Sequence, residues 1–265
     1  MIPGAFSTAL HKTLLRCRVV CVAIVLALLC GCHSKPALTL YCGAGIRPPV
    51  AQAVEEFSRL QGVRVECAYA GSEVLLSQLK LSGRGDLYMP GDGYYVAQAE
   101  QAGLVASTRP VCCFVPVILV SKGNPKNIRT LADLARPGLT LGLGEAEACA
   151  VGRQSSEIFA KNNISEEEIN RNVVNRALTV SDLANGVKLK ALDAAIVWDA
   201  VAAGVADQTD VVVIPPEQNI ISTVSIAILK TSSSPELAAK FADFLASEHG
   251  QEIFAKHHYT LCPPK

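Results

Sequence analysis

The chain has 265 residues, of which half are hydrophobic and 18% are charged, with 24 basic and 24 acidic side chains. This is too apolar for a disordered chain, and the missing basic excess argues against a nucleic-acid partner. Of the basic residues, Lys12, Arg16 and Arg18 precede His33, and no acid does, so residues 33–265 hold 21 basic against 24 acidic side chains, a net of −3. The histidines are His11, His33, His249, His257 and His258. None lies between Ser34 and Glu248, which excludes a histidine-dependent triad or a histidine-rich metal centre from the body of the chain.

Along the chain, the basic flank leads into the apolar run from Val19 to Leu29. The run is shorter than the roughly 20 residues that a membrane span needs, and it reads as a secretory signal. It closes on Leu29-Cys30-Gly31-Cys32, which resembles the bacterial lipobox, whose last cysteine receives the lipid. Residues 1–32 are therefore expected to be a lipoprotein signal peptide, with Cys32 as the lipidated N-terminus. Ordinary signal cleavage is the alternative. Six cysteines follow, namely Cys42, Cys67, Cys112, Cys113, Cys149 and Cys262. Their even number permits disulfides in an exported protein, with the pairing open, and small buried hydrophobes are the other reading.

The body begins with a strand over 38–42, then Gly43-Ala44-Gly45. A helix carrying Val50, Val54, Phe57 and Leu60 follows and stops at Gly62. Alternation over 63–69 predicts a second strand, and Gly71-Ser72 opens a helix that ends by Gly83. A third strand over 86–89 and a helix to Ala102 complete three strand–helix units, the signature of a parallel α/β sheet. The apolar run 111–120 suits a buried strand or a crossover. Beyond it the spacing predicts helices over 130–135, 151–161, 165–171, 180–189 and 198–205, and strands over 139–143, 194–197 and 211–214. A second apolar run spans 220–229, and helices are expected near 235–247 and 249–257. Two α/β blocks separated by two long runs predict two lobes, with the chain crossing twice. One continuous doubly wound domain is the alternative.

Two strand-to-helix corners stand out, Tyr41–Ile46 and Tyr69–Glu73. Small residues there let backbone N–H groups approach a ligand, and a helix N-terminus favours anions. The alternative for Ser72 is N-capping alone. A third corner, Gly144–Arg153, offers the same groups from the second block, with Arg153 either a counter-charge or a solvated helix residue. Trp198, the only tryptophan, ends an apolar strand as a cleft wall or a core residue. Asp86, Asp92 and Asp199 show no pairing for acid–base work, and His257, His258 and Cys262 are weighed between a metal grip and a solvated tail.

From Leu38 to Leu261 the chain resembles the molybdate-binding proteins of bacterial ABC importers. Carrying the resemblance are Leu40–Gly45, Ala70–Leu75 with Gln78, Gly85–Tyr88 with Gly91-Asp92, Ala194–Ala200, and Gln251–Phe254. It implies a two-lobed α/β periplasmic-binding-protein fold with mostly parallel sheets and two crossover strands. The lobes implied are 33–115 and 116–222, with 223–265 returning to the first. It also implies a tetrahedral oxyanion held between the lobes by hydroxyls and backbone N–H groups, with no cofactor and no metal. Gly45 falls where the family often has a ligand serine, Ser72 matches a second ligand serine, and Val151 and Leu183 fall near backbone donors. Trp198 replaces a tyrosine whose hydroxyl commonly touches the anion, so this chain lacks one serine and one hydroxyl. The implied protein is not an enzyme. It is a monomeric lipoprotein of the periplasm or cell surface that touches the membrane through its anchor and delivers molybdate or tungstate to a permease. Another solute in the same fold, an organic carboxylate or a metal complex, and a sensory binding module remain as alternatives.

Overall fold

The computed structural model describes residues 37–261. The expected leader, Cys32 and Cys262 lie outside them.

The first block builds as its periodicity predicts. Strand β1 (Ala37–Gly43) runs through a short 3-10 turn into helix α1 (Arg47–Gln61), which has proline in its first turn and ends on left-handed Gly62, φ 67°. Strand β2 (Arg64–Ala70) leads to α2 (Ser72–Ser82), and β3 (Leu87–Met89) to α3 (Gly93–Gln101). The apolar run at 111–120 is two strands, β4 (Val105–Phe114) and β5 (Pro116–Ser121), parted at Val115. In the second block come β6 (Leu141–Gly144), α4 (Ala150–Lys161), α5 (Glu166–Asn170), β7 (Val173–Ala177) and α6 (Val180–Lys188). Then follow β8 (Ala194–Trp198), α7 (Asp199–Ala203), β9 (Thr209–Val213), β10 (Ser222–Leu229), α8 (Pro235–Ala246) and α9 (Glu248–Lys256).

Two five-stranded sheets result, ordered β2-β1-β3-β10-β4 and β7-β6-β8-β5-β9. In the first, β1, β2 and β3 are parallel, and β10 is antiparallel to both β3 and β4. In the second, β6 is parallel to β7 and β8, and β5 is antiparallel to β8 and β9. Each sheet thus has one reversed strand, and each reversed strand is the one the chain enters on arriving from the other sheet. The two apolar runs expected to mark the crossings, 111–120 and 220–229, are largely strand themselves: the first ends β4 and opens β5, and the second is mostly β10. The chain changes sheets just before β5 and β10, at Val115 and over 214–221. Both lobes are α/β, and their helix-bearing strand ends face one another.

Two strands were not legible. Strand β7 is an edge strand with only Ala177 fully buried, so its Val-Val-Asn-Arg run lacks an apolar face. The first half of β4 is also at an edge and is partly exposed, and it tolerates Pro110 beside a register shift against β10. By contrast, β5 and β8 are buried along their whole length and read as continuous apolar runs.

Candidate functional site

The corners following β1, β2, β6 and β7 converge between the sheets. They enclose a cavity lined from the first lobe by Gly43–Ile46, Ala70–Ser72, Gly91 and Phe114, and from the second by Cys149–Val151, Thr179, Val180 and Trp198. The cavity is small, with about 20 Å³ open to the centre of a water molecule. Among the described residues no charged side chain lines it. Of the expected site residues, Gly45, Ser72, Val151 and Trp198 meet here. Leu183 does not: it lies one turn into α6 with its side chain fully buried, and the start of that helix, Thr179 and Val180, takes its place at the wall.

Ser72 is not the cap of α2. Gly71 holds that position, and no side chain caps the helix. The Ser72 hydroxyl, 3% exposed, accepts the Gly91 amide at 3.0 Å, and the Ser72 carbonyl accepts the Tyr88 hydroxyl at 3.0 Å. A hydroxyl whose oxygen already accepts a bond keeps its proton to donate. In the second lobe Cys149 takes the N-cap position of α4 in extended backbone. Burial pushes its thiol up to about 11, against the Val151 and Gly152 amides beside it, so the thiol is neutral at ordinary pH. Thr179 caps α6, accepting from the Asp182 amide at 3.3 Å and donating to the Asp182 carboxylate at 2.6 Å. The spacing Thr179-x-x-Asp182 is a capping signature that sequence reading alone had missed.

Trp198 is both wall and core. It is 2% exposed and stacks on Phe114 with centroids 4.5 Å apart and planes 15° off parallel. Its indole N–H has no hydrogen-bond partner among the described residues. Val180 and, less closely, the indole occupy the space that a side chain at position 45 would need: a Cβ on Gly45 would lie 2.7 Å from Val180 Cγ1 and 3.2 Å from Trp198 Cδ1. The Tyr259 hydroxyl donates to the Gly45 carbonyl from behind, a contact with no local sequence signal.

A family described as bacterial extracellular solute-binding protein matches residues 38–260. The chain belongs to that family. The molybdate-binding protein ModA of Mycobacterium tuberculosis is 29% identical over 220 residues, covering 82% of each chain. Among solved structures, the sulfate-binding protein SubI from the same organism superposes with a TM-score of 0.76 at 21% identity, over 86% of this chain and 88% of that one. The Azotobacter vinelandii periplasmic molybdate-binding protein does so at 0.74 and 14% identity, over 85% of this chain and all of that one. Both share the two-lobed α/β fold. This solute-binding protein is not an enzyme.

The solute-binding protein's lobes are in contact across the cleft. The Glu73 amide donates to the Ala148 carbonyl at 3.3 Å. A Cβ on Gly71 would lie 2.5 Å from the Leu178 carbonyl oxygen and 2.7 Å from that of Ala148. Arg153 neither lines this cavity nor solvates a helix face. Its guanidinium pairs with Asp92 of the other lobe and with Glu157, and sits 4.4 Å from the Tyr94 ring centroid. The remaining candidates serve the fold. Asp86 accepts from the Thr39 and Ser233 amides and the Ser232 hydroxyl, and Asp199 accepts from Thr260. His257 is hydrogen-bonded to Gln52 at 2.9 Å. No group of three His, Cys, Asp or Glu among the described residues is placed to hold a metal. Cys42, Cys67, Cys112 and Cys149 are free thiols, and Cys113 is disulfide-bonded.

Proposed function

We propose that this protein is the extracytoplasmic binding component of an ABC importer and closes its two lobes around a tetrahedral oxyanion, molybdate or tungstate. The observation that carries the reading is the Ser72 hydroxyl. It is fixed by the Gly91 amide, keeps a proton to donate, and sits in a cavity that no charged side chain among the described residues lines. Micromolar affinity is about 8 kcal/mol, and a hydrogen bond to a charged group nets roughly 1.5–3 kcal/mol, so several donors are needed. The Ser72 hydroxyl, the amides at Gly45 and Val151 and the Trp198 indole supply them from both lobes. Leu183 plays no part in this set. The names of the molybdate-binding relatives favour the same ligand. A small cavity lined, among the described residues, by no carboxylate or imidazole favours a compact anion over a bulkier organic carboxylate or a metal complex.

Calorimetric titration with molybdate, tungstate, sulfate and phosphate, with Trp198 fluorescence as a second signal, tests the proposal. Molybdate and tungstate should bind more tightly than sulfate. Tighter sulfate binding would reassign the ligand, and silence toward all four anions would retire the oxyanion. All donors here are neutral, so affinity should stay flat from about pH 6 to about pH 9. It should fall only as pH approaches the value of about 11 at which the Cys149 thiol would ionise beside the anion.

The same reading makes the protein a monomer fastened to the membrane through a lipid on Cys32, delivering its ligand to a permease. Labelling with a fatty-acid probe should mark the wild type and not Cys32→Ser. Label that persists in the variant would refute the anchor.

A further inference from the structure

We infer that Asp92 and Arg153 form a latch that holds the two lobes shut and that is wired to the ligand cavity through Gly91 and Ser72. The inference rests on the oxyanion reading only for its ligand-dependent arm.

The pair joins residues 61 positions apart, on opposite sides of the cleft. It is shielded: the Asp92 side chain is 6% exposed and that of Arg153 20%. An exposed ion pair contributes little, whereas breaking a shielded one by removing a partner is costly. The aromatic face of Tyr94, which follows Asp92 by two residues, covers the guanidinium at 4.4 Å. All three first-lobe contributors sit at one corner. The Gly91 amide donates to the Ser72 hydroxyl at 3.0 Å, Asp92 caps α3 by accepting the Tyr94 amide at 2.8 Å, and Tyr94 lies under the guanidinium. A shift of this corner therefore moves the Ser72 oxygen and the latch together.

The pair is also built to open. When the lobes part, Asp92 keeps its cap bond to Tyr94 and Arg153 keeps Glu157 on its own helix. Neither charge is stranded, so the latch adds to the closed state without locking it. The Arg153 Nε is buried without a partner, so the guanidinium is committed to this position by its terminal nitrogens alone. Asp92 and Arg153 touch no ligand in this scheme. They are positioning residues, and their effect should appear in the rate of release.

The test uses Arg153→Met, Asp92→Asn, which keeps an oxygen for the α3 cap, and the double variant. Stopped-flow Trp198 fluorescence with molybdate should show release about tenfold faster in each single variant, with association within about twofold of wild type. The double variant should release no faster than the more impaired single one, because the two changes remove one interaction. Arg153→Lys should recover part of the slow release. Without ligand, small-angle scattering should give both single variants a larger radius of gyration than wild type. Unchanged release, or additive effects in the double variant, would overturn the latch, as would equal radii in the ligand-free proteins. If wild type does not bind molybdate, the oxyanion reading fails, and the ligand-free scattering decides the latch by itself.

Discussion

Replacing Gly71 by alanine should remove most of the protein's affinity while leaving both lobes folded. Gly71 has φ −63° and ψ 151°, a conformation open to any residue, so the substitution puts no strain on its own chain. The conflict lies across the cleft. A methyl group there would meet two backbone oxygens at 2.5 and 2.7 Å, and neither can rotate away as a side chain would. The lobes must then stop short, and the Glu73 amide loses the Ala148 carbonyl. Overpacking of this kind costs about 1–3 kcal/mol, and here it falls on closure alone, so affinity should drop about ten- to a hundredfold. Calorimetry measures the loss, and scattering at saturating molybdate should show a radius larger than that of wild type. Wild-type affinity in this variant would mean that the lobes do not meet at Gly71 when ligand is bound.

Ser72→Ala tests the chemistry instead of the closure. The variant removes one donor to a charged ligand, worth roughly 1–3 kcal/mol, so oxyanion affinity should fall about ten- to a hundredfold. It also leaves the Gly91 amide without its acceptor, which should lower stability by about 1 kcal/mol. Thermal melts and calorimetry separate the two effects. A variant that melts earlier yet binds molybdate as wild type does would make Ser72 a structural support of the Gly91 corner and not a ligand group.

The strand–helix alternation made most of the fold legible, because each unit closes on local signals: proline at a first turn, glycine at a stop, apolar spacing along one face. The Ser72 corner was legible for the same reason, though its hydroxyl's partner was not, since Gly91 lies 19 residues away on another strand end. Val151 and Trp198 were placed by resemblance and do reach the cavity, whereas Leu183 was placed one turn too far along its helix. Arg153 shows why the rest stayed hidden. In sequence it is one more charge on an amphipathic helix, and only the approach of two lobes supplies Asp92 and Tyr94 as its partners. Strand β7 was invisible because an edge strand with polar, exposed positions carries neither alternation nor a continuous apolar run.

The strand order of the first sheet bears on how the chain is made. Strands β5 to β9 are contiguous, so the second lobe's sheet can assemble once residue 213 has left the ribosome. The first lobe's sheet cannot, because β10, which begins at Ser222, lies between β3 and β4 and provides the only hydrogen-bonded link between them. The edge strand β4 lacks its strand neighbour, and two of the helices packed on it, α8 and α9, are not yet made, until nearly the whole polypeptide exists. Such long-range pairing forms slowly. Strands β1 to β3 can pair early, but the finished first sheet, and with it one wall of the cleft, forms only after almost all of the chain has been made, so the binding site is among the last features of the fold to appear.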